Sequence, residues 1–231
     1  MTILVIGCGS GLGKEIYKIL KKEKKDVQGF SSLNLKNFNY INLKSLNITK
    51  LKKQINSINN LSEVYYLANL SKNKNFLKIS QKDFNEFINF NIFNFTKFFQ
   101  VLLKKNDKII INIILSHICF MHNYGFSIYR SHKLFQKSLL QSIQIEFPKT
   151  KINYIYPGAI KTNFVKNNNY KGKSIFQPKD PKIIAKLIIE KKKRFYSIID
   201  YFFYLLEKFL PEKTYISFNS ILLKFIYKKN K

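Results

Sequence analysis

The sequence predicts an α/β fold: a doubly wound parallel sheet with helices on both faces, in three αβα layers. Three observations predict it. Short β-branched runs alternate with longer amphipathic stretches, the runs are apolar almost throughout, and a glycine-rich turn follows the first of them. A strand covered by helices on both faces has no solvent side to mark with polar residues, so its sequence loses the period-two alternation. Strands that alternate with helices are joined by crossovers, which make the sheet parallel.

In chain order, ILVIG (3–7) reads as the first strand and GLGKEIYKILKKEKK (11–25) as the helix after it. DVQGF (26–30) and YINL (40–43) are the second and third strands, with a helix at 47–58. EVYYLAN (63–69) is the fourth strand and leads to a long helix at 82–104. KIIINIILS (108–116) is the fifth, a helix covers 126–146, KINYIYPG (151–158) is the sixth, and a last helix opens at Asp180-Pro181. The pattern is Rossmann-type, and ligands of such sheets bind in the loops beyond the carboxyl ends of the strands.

With 231 residues, 45% of them hydrophobic, the chain can bury one sizeable core. No repeat and no Pro/Gly/Ser-rich linker divides it, so a single domain over 1–231 is expected. Within it, the polar segment 163–180 reads as a lid-like loop and 198–231 as a basic, aromatic-rich C-terminal extension. The extension either packs on the domain or a subunit interface, or lies as an amphipathic tail on anionic membrane.

The net charge of +28, from 41 Lys+Arg against 13 Asp+Glu, suggests a polyanionic partner at first sight. The basic residues are nearly all Lys, however, scattered among Asn, Ile, Phe and Tyr, which share A/T-rich codons. Arginine, the residue suited to bidentate base and phosphate contacts, is nearly absent, and no nucleic acid is expected. Two cysteines, Cys8 and Cys119, are too few for a disulfide framework and read as reduced thiols. The sequence shows no basic leader with a cleavage site and no uncharged apolar run of about 18 residues, so a cytoplasmic, at most membrane-peripheral, protein is expected.

Residues 7–13 read GCGSGLG, directly after the first strand. Gly7, Gly11 and Gly13 have the spacing G-x-x-x-G-x-G, with Gly9 additional. Ser10 and Leu12 complete the turn. Glycines there allow a tight strand-to-helix turn and let backbone amides and the positive helix end approach a pyrophosphate, which points to a dinucleotide. Where an acidic residue would bond an adenosine ribose at the end of the second strand stand Ser31 and Ser32. NADP(H) is therefore preferred over NAD(H), with Lys14 or Lys36 as a partner for the 2′-phosphate.

Tyr129 and Lys133 stand four residues apart on the helix after the fifth strand, so that phenol and ammonium share a face. A phenol titrates near 10, and as an acid/base at neutral pH it needs a neighbouring cation. Ser116 ends the preceding strand, Asn91 lies in the long helix before it, and the sixth strand runs into YPGAIKT (156–162). These features, in this order, resemble the short-chain dehydrogenase/reductase (SDR) family over nearly the whole chain. The resemblance implies hydride transfer between NADP(H), or NAD(H), and a small-molecule carbonyl or alcohol substrate. It makes Tyr129 the general acid/base, with Lys133 lowering its pKa and bonding the nicotinamide ribose, Ser116 polarising the substrate carbonyl, and Asn91 holding a water in the proton relay.

For Asn91 the segment FNEFINFN resembles the family's W-x-x-x-x-x-x-N with Phe84 in the aromatic place, while Asn89 and Asn94 are alternatives. Pro157, Gly158, Ile160 and Thr162 match the loop that contacts the nicotinamide carboxamide. Asn42 and Leu43 fall near the adenine, and Ala68 and Asn69 stand in LANL where the family commonly has N-A-G. Ile6 replaces a threonine that often precedes the first glycine. His117, His122 and His132 receive no catalytic role, and His132 is expected to point away from the Tyr-Lys turn. A homo-oligomer is implied by resemblance, and a non-catalytic nucleotide-binding scaffold on the same fold is the alternative function.

Overall fold

The computed structural model describes residues 1–33, 38–43, 46–71, 73–162, 178–191 and 195–228. Six parallel strands form one sheet in the order β3-β2-β1-β4-β5-β6. They are β1 (Thr2–Ile6), β2 (Asp26–Ser31), β3 (Asn39–Tyr40), β4 (Leu61–Tyr66), β5 (Ile110–Ile114) and β6 (Lys151–Ile155). The helices are α1 (Gly11–Lys22), α2 (Ile48–Asn56), α3 (Gln81–Ile88), α4 (Asn94–Lys105), α5 (Ser127–Glu146), α6 (Pro181–Lys191), α7 (Ile198–Phe209) and α8 (Glu212–Lys228). Because chain order reverses direction across the sheet at β1, the loops after β1 and β4 diverge and leave a crevice between them.

The two faces of the sheet carry separate cores, which explains why the strands lack alternation. On one face Leu4, Ile6, Val64 and Tyr66 pack with Phe95, Phe98 and Phe99 of α4. On the other, Ile3, Val5 and Tyr65 pack with Ile16 and Leu20 of α1 and Ile184, Ala185 and Ile188 of α6. Both layers fix the sheet as a platform for the loops above it.

Three elements differ from expectation. The third strand shrinks to Asn39–Tyr40, because it is an edge strand paired only to β2, at Phe30↔Asn39 and Ser31↔Tyr40. The long helix at 82–104 is broken by a π turn at Asn89–Phe93, where the asparagine-rich run interrupts the regular ladder. Helix α1 ends three residues early, with Lys24 in left-handed conformation at φ 55.

A polar ladder crosses the apolar sheet. Buried Asn112 on β5 donates through Nδ2 to Glu63 Oε1 on β4 at 2.7 Å and accepts from Asn153 Nδ2 on β6 at 2.8 Å. Register-matched strands bring these side chains together, since Asn112 lies opposite Tyr65 and Asn153. Asn112→Leu, close in size, removes both bonds and strips two inward-facing neighbours of a partner. It is expected to lower unfolding free energy by about 1–3 kcal/mol in a denaturant titration, and an unchanged midpoint would contradict the ladder's role.

Candidate active site

Above the carboxyl edge of the sheet lies a cleft of ≈ 320 Å³. Its walls are the turn after β1, the ends of β2 and β4, the segment after β5, the start of α5 and the loop after β6. Gly7, Gly9, Ser10, Gly11, Leu12, Gly13, Ser31, Ser32, Leu43, Ala68 and Asn69 line one part of it. Ser116, Tyr129, Lys133, Pro157, Gly158, Ile160 and Thr162 line the other. Two of the residues read from the sequence stand apart, Asn42 and Asn91, neither of which lines the cleft.

The glycine turn works by contact. Gly7 has φ +89, and a Cβ on it would lie 2.8 Å from Ala68 N; one on Gly13 would lie 2.2 Å from Gly7 O. Strand β1, helix α1 and the loop after β4 therefore meet with no room for a side chain. Helix α1 opens from Ser10 with no side-chain cap and no acidic residue in its first turn, so its amides and dipole face the cleft without a built-in counter-charge. These features fit the phosphates of a dinucleotide. Ser31 is buried and its Oγ accepts from Leu33 N at 2.9 Å, so the β2 end presents hydroxyls and no carboxylate. Of the two lysines considered for a 2′-phosphate, Lys14 is exposed on α1 and does not line the cleft, and Lys36 lies outside the described residues. So does most of the lid-like loop, residues 163–177.

An asparagine within the π turn and one just after it brace the cleft from behind. Asn91 is 1% exposed and holds the Leu70 backbone at both ends, accepting from its N at 3.1 Å and donating to its O at 2.8 Å. Its amide thus holds the loop after β4. Asn94 donates to Leu43 O at 2.7 Å and fixes the segment where the adenine was expected; Leu43 is buried against it, while Asn42 turns out of the lining.

At the other end, Ser116 caps the turn His117–Cys119, its Oγ accepting from Ile118 N at 3.3 Å. The Ser116 hydroxyl also bonds the Tyr129 phenol. The Tyr129 ring is held edge-on by Phe126 at 6.1 Å and by His132 at 5.1 Å between centroids, and His132 rests in turn on Phe87 at 5.0 Å. His132 therefore packs against the tyrosine ring rather than away from it. Burial drives the His132 imidazole far below its ordinary pKa, with the Lys133 charge acting the same way, so it is a neutral ring spacer.

The electrostatics differ from expectation. Burial pushes the Tyr129 phenol above its ordinary value, and the hydrogen bond with Ser116 offsets this in part. Lys133 is not among the groups that lower it. Buried Lys133 directs its ammonium to Ile114 O at 3.1 Å and Gln136 Oε1 at 3.2 Å, and burial lowers its own pKa to about 8. The phenol is neutral and the amine mostly charged at pH 7.

A residue of the site wall, His117, and the carboxylate behind it, Asp200, were not read from the sequence in that role. His117, adjoining Ser116, lines the cleft, and its Nδ1 lies 3.9 Å from Oδ1 of Asp200 on α7. Gly158 fits between them, since a Cβ there would stand 3.2 Å from Asp200 Oδ2 and 3.4 Å from His117 Nδ1. The adjacency of His117 to Ser116 is visible in the sequence; nothing there brings Asp200, 84 positions downstream of Ser116, to His117. Among the described residues no cluster of metal-ligating side chains occurs.

The short chain dehydrogenase family model matches residues 1–172, and the chain belongs to that family of oxidoreductases. Among solved structures it is similar to a short chain dehydrogenase from Burkholderia cenocepacia in complex with NADP, with 13% identity, a TM-score of 0.74, and coverage of 90% of this chain and 92% of that one. An alcohol dehydrogenase from the archaeon Thermococcus sibiricus, complexed with 5-hydroxy-NADP, gives 16% identity, a TM-score of 0.70, and coverage of 81% and 88%. A short-chain dehydrogenase/reductase from Vibrio parahaemolyticus gives 20% identity, a TM-score of 0.68, and coverage of 81% and 91%. At these identities the likeness is one of fold. No curated protein sequence matches the chain.

Burial shifts His117 and Asp200 in opposite directions. Burial lowers His117 to about 4, against the pull of the Pro157 carbonyl, and raises Asp200 to about 6, against the pull of Lys179. A carboxyl whose pKa is raised on folding loses stability as pH rises from its ordinary value of 3.8 to about 6. A histidine whose pKa is depressed regains stability as pH rises from about 4 to 6.5. Asp200→Asn removes the first effect and leaves the second. Relative to the parent, the variant should therefore gain stability as pH is raised from about 4 to about 6. Denaturant midpoints across that range read this directly, and a pH-independent difference between the two proteins would contradict it.

Proposed function

We propose that the protein is an NADP(H)-preferring oxidoreductase acting on CH–OH/C=O groups of a small molecule. One observation carries the reading: the Tyr129 phenol, bonded to Ser116 and one turn from Lys133, lines the same cleft as the glycine turn and the amide end of α1. When bound, the nicotinamide coenzyme supplies or accepts the hydride. Gly7 to Gly13 would hold its phosphates, and Pro157, Gly158, Ile160 and Thr162 its nicotinamide end. The absence of a carboxylate at Ser31 and Ser32 supports NADP(H) over NAD(H).

In this reading Ser116 donates to the substrate oxygen, and Tyr129 transfers a proton to that oxygen in reduction or takes it back in oxidation. A phenol kept neutral by burial is in the form that donates, which favours carbonyl reduction. Lys133 has a lowered pKa and lies on the same face, so it exchanges protons near neutrality and can resupply the phenol. Asn91 is a positioning residue, acting through Leu70 on the loop after β4. Association of copies through the long helices α4 and α5 belongs to the same proposal.

The test is a screen of carbonyl compounds for NADPH oxidation, followed by Tyr129→Phe. The variant is expected to lose turnover by about 10²–10⁴-fold while coenzyme binding is largely retained. Unchanged turnover in the variant would overturn the assignment, and coenzyme binding without Tyr129-dependent hydride transfer would favour a scaffold role.

A further inference from the structure

The C-terminal helices have one face seated and one face uncovered. Helix α7 is fixed to the body on its inner side: Asp200 and Phe203 are buried, Tyr204 packs on Phe120 at 5.1 Å, and Glu207 pairs with Arg130 of α5 at 3.1 Å. Helix α8 closes back over it, with the Tyr215 hydroxyl donating to the Phe120 carbonyl and Phe203 against Phe218 at 6.3 Å. The hairpin is thus held in one orientation next to the cleft wall.

The opposite face of α7 carries Ile198, Tyr201, Phe202, Leu205 and Phe209. Their spacing of i, i+3, i+4, i+7 and i+11 puts them on a single stripe. Ile198 is 84% exposed, Phe202 52% and Phe209 71%. On α8, Ile216, Phe218 and Ile221 are exposed as well. Four of the five side chains on the α7 stripe are exposed and Leu205 is half-buried, and an apolar surface of this extent marks a site of interaction.

Charge selects the occupant. Lys208 on α7 and Lys213 and Lys224 on α8 are exposed. Of the acidic residues on these two helices, Asp200 is buried, Glu207 is paired with Arg130, and Glu212 is the exposed one among the described residues. A second copy meeting this face symmetrically would bring the same lysines together in a chain of net charge +28, which opposes association. A surface with an apolar interior and anionic headgroups meets both features: aromatic and aliphatic side chains enter the acyl boundary while lysines stay at the phosphates. Among the described residues no helix is long and apolar enough to cross a membrane, so the contact lies in the plane of the surface. We infer that the protein docks on anionic lipid through the outer face of α7, with the cleft beside the bilayer. The inference does not rest on the reaction proposed above.

Flotation of the full chain with extruded vesicles tests it, using phosphatidylcholine alone and mixed with phosphatidylserine, each at low and high salt. The chain is expected to float with the anionic vesicles, weakly or not at all with the neutral ones, and less as salt rises. The double variant Phe202→Asp, Phe209→Asp changes only exposed positions; it should lose vesicle binding by roughly tenfold or more while keeping its circular dichroism and unfolding midpoint. A parent chain that stays unbound with every vesicle overturns the inference. So does light scattering that finds an oligomer split by the same double variant, with no vesicle binding, because the face would then be a contact between copies.

Discussion

The site depends on an approach that only a hydrogen atom permits. A side chain on Gly13 would enter the carbonyl of Gly7, and one on Gly7 would enter the backbone at Ala68. Strand β1, helix α1 and the loop after β4 are thereby drawn to contact at the point where strand order reverses. The crevice, the direction in which α1 aims its amides and the approach of Thr162 from the sixth strand's loop all follow from that contact. A wider turn would move the glycine end of the cleft away from Ser116, Tyr129 and Lys133, although those side chains stood unchanged.

At the end of the cleft that holds Tyr129 and Lys133, burial dominates the charges. It acts on Tyr129 and Lys133 alike by favouring the neutral form, raising the phenol and lowering the amine to about 8. The Lys133 ammonium is turned to Ile114 O and Gln136. One helical turn of separation brings the two groups to the same cleft, yet it does not by itself make the phenol acidic. What the chain fixes on its own is the geometry: Ser116 on the hydroxyl, and Phe126 and His132 on the ring.

The layered fold was legible in the sequence because burial on both faces leaves its mark in the central strands, and β1, β4 and β5 carry runs of adjacent apolar residues for that reason. The glycine turn and the Tyr129–Lys133 pair are patterns local to one turn and one helix, and the structure brings them, with Ser116 from the segment after β5, to one cleft. Where a property depends on contacts between distant segments, the sequence was silent or misleading. The bonds between the Asn91 amide and Leu70, set by the π turn, have no local signal in the sequence. Asn112 looks like an interruption of an apolar strand until register sets it between Glu63 and Asn153. The meeting of Asp200 with His117 depends on how α7 returns to the cleft, and no local pattern encodes it.

Equilibrium titration of the intact chain with NADPH and with NADH, followed through nicotinamide fluorescence, tests the central claim most directly. Saturable binding of one dinucleotide per chain is expected, tighter for NADPH. It should be weakened by Gly11→Val, whose side chain would be forced toward Thr162 from a residue at φ +53. Failure of the folded chain to bind either dinucleotide would contradict the account at its base.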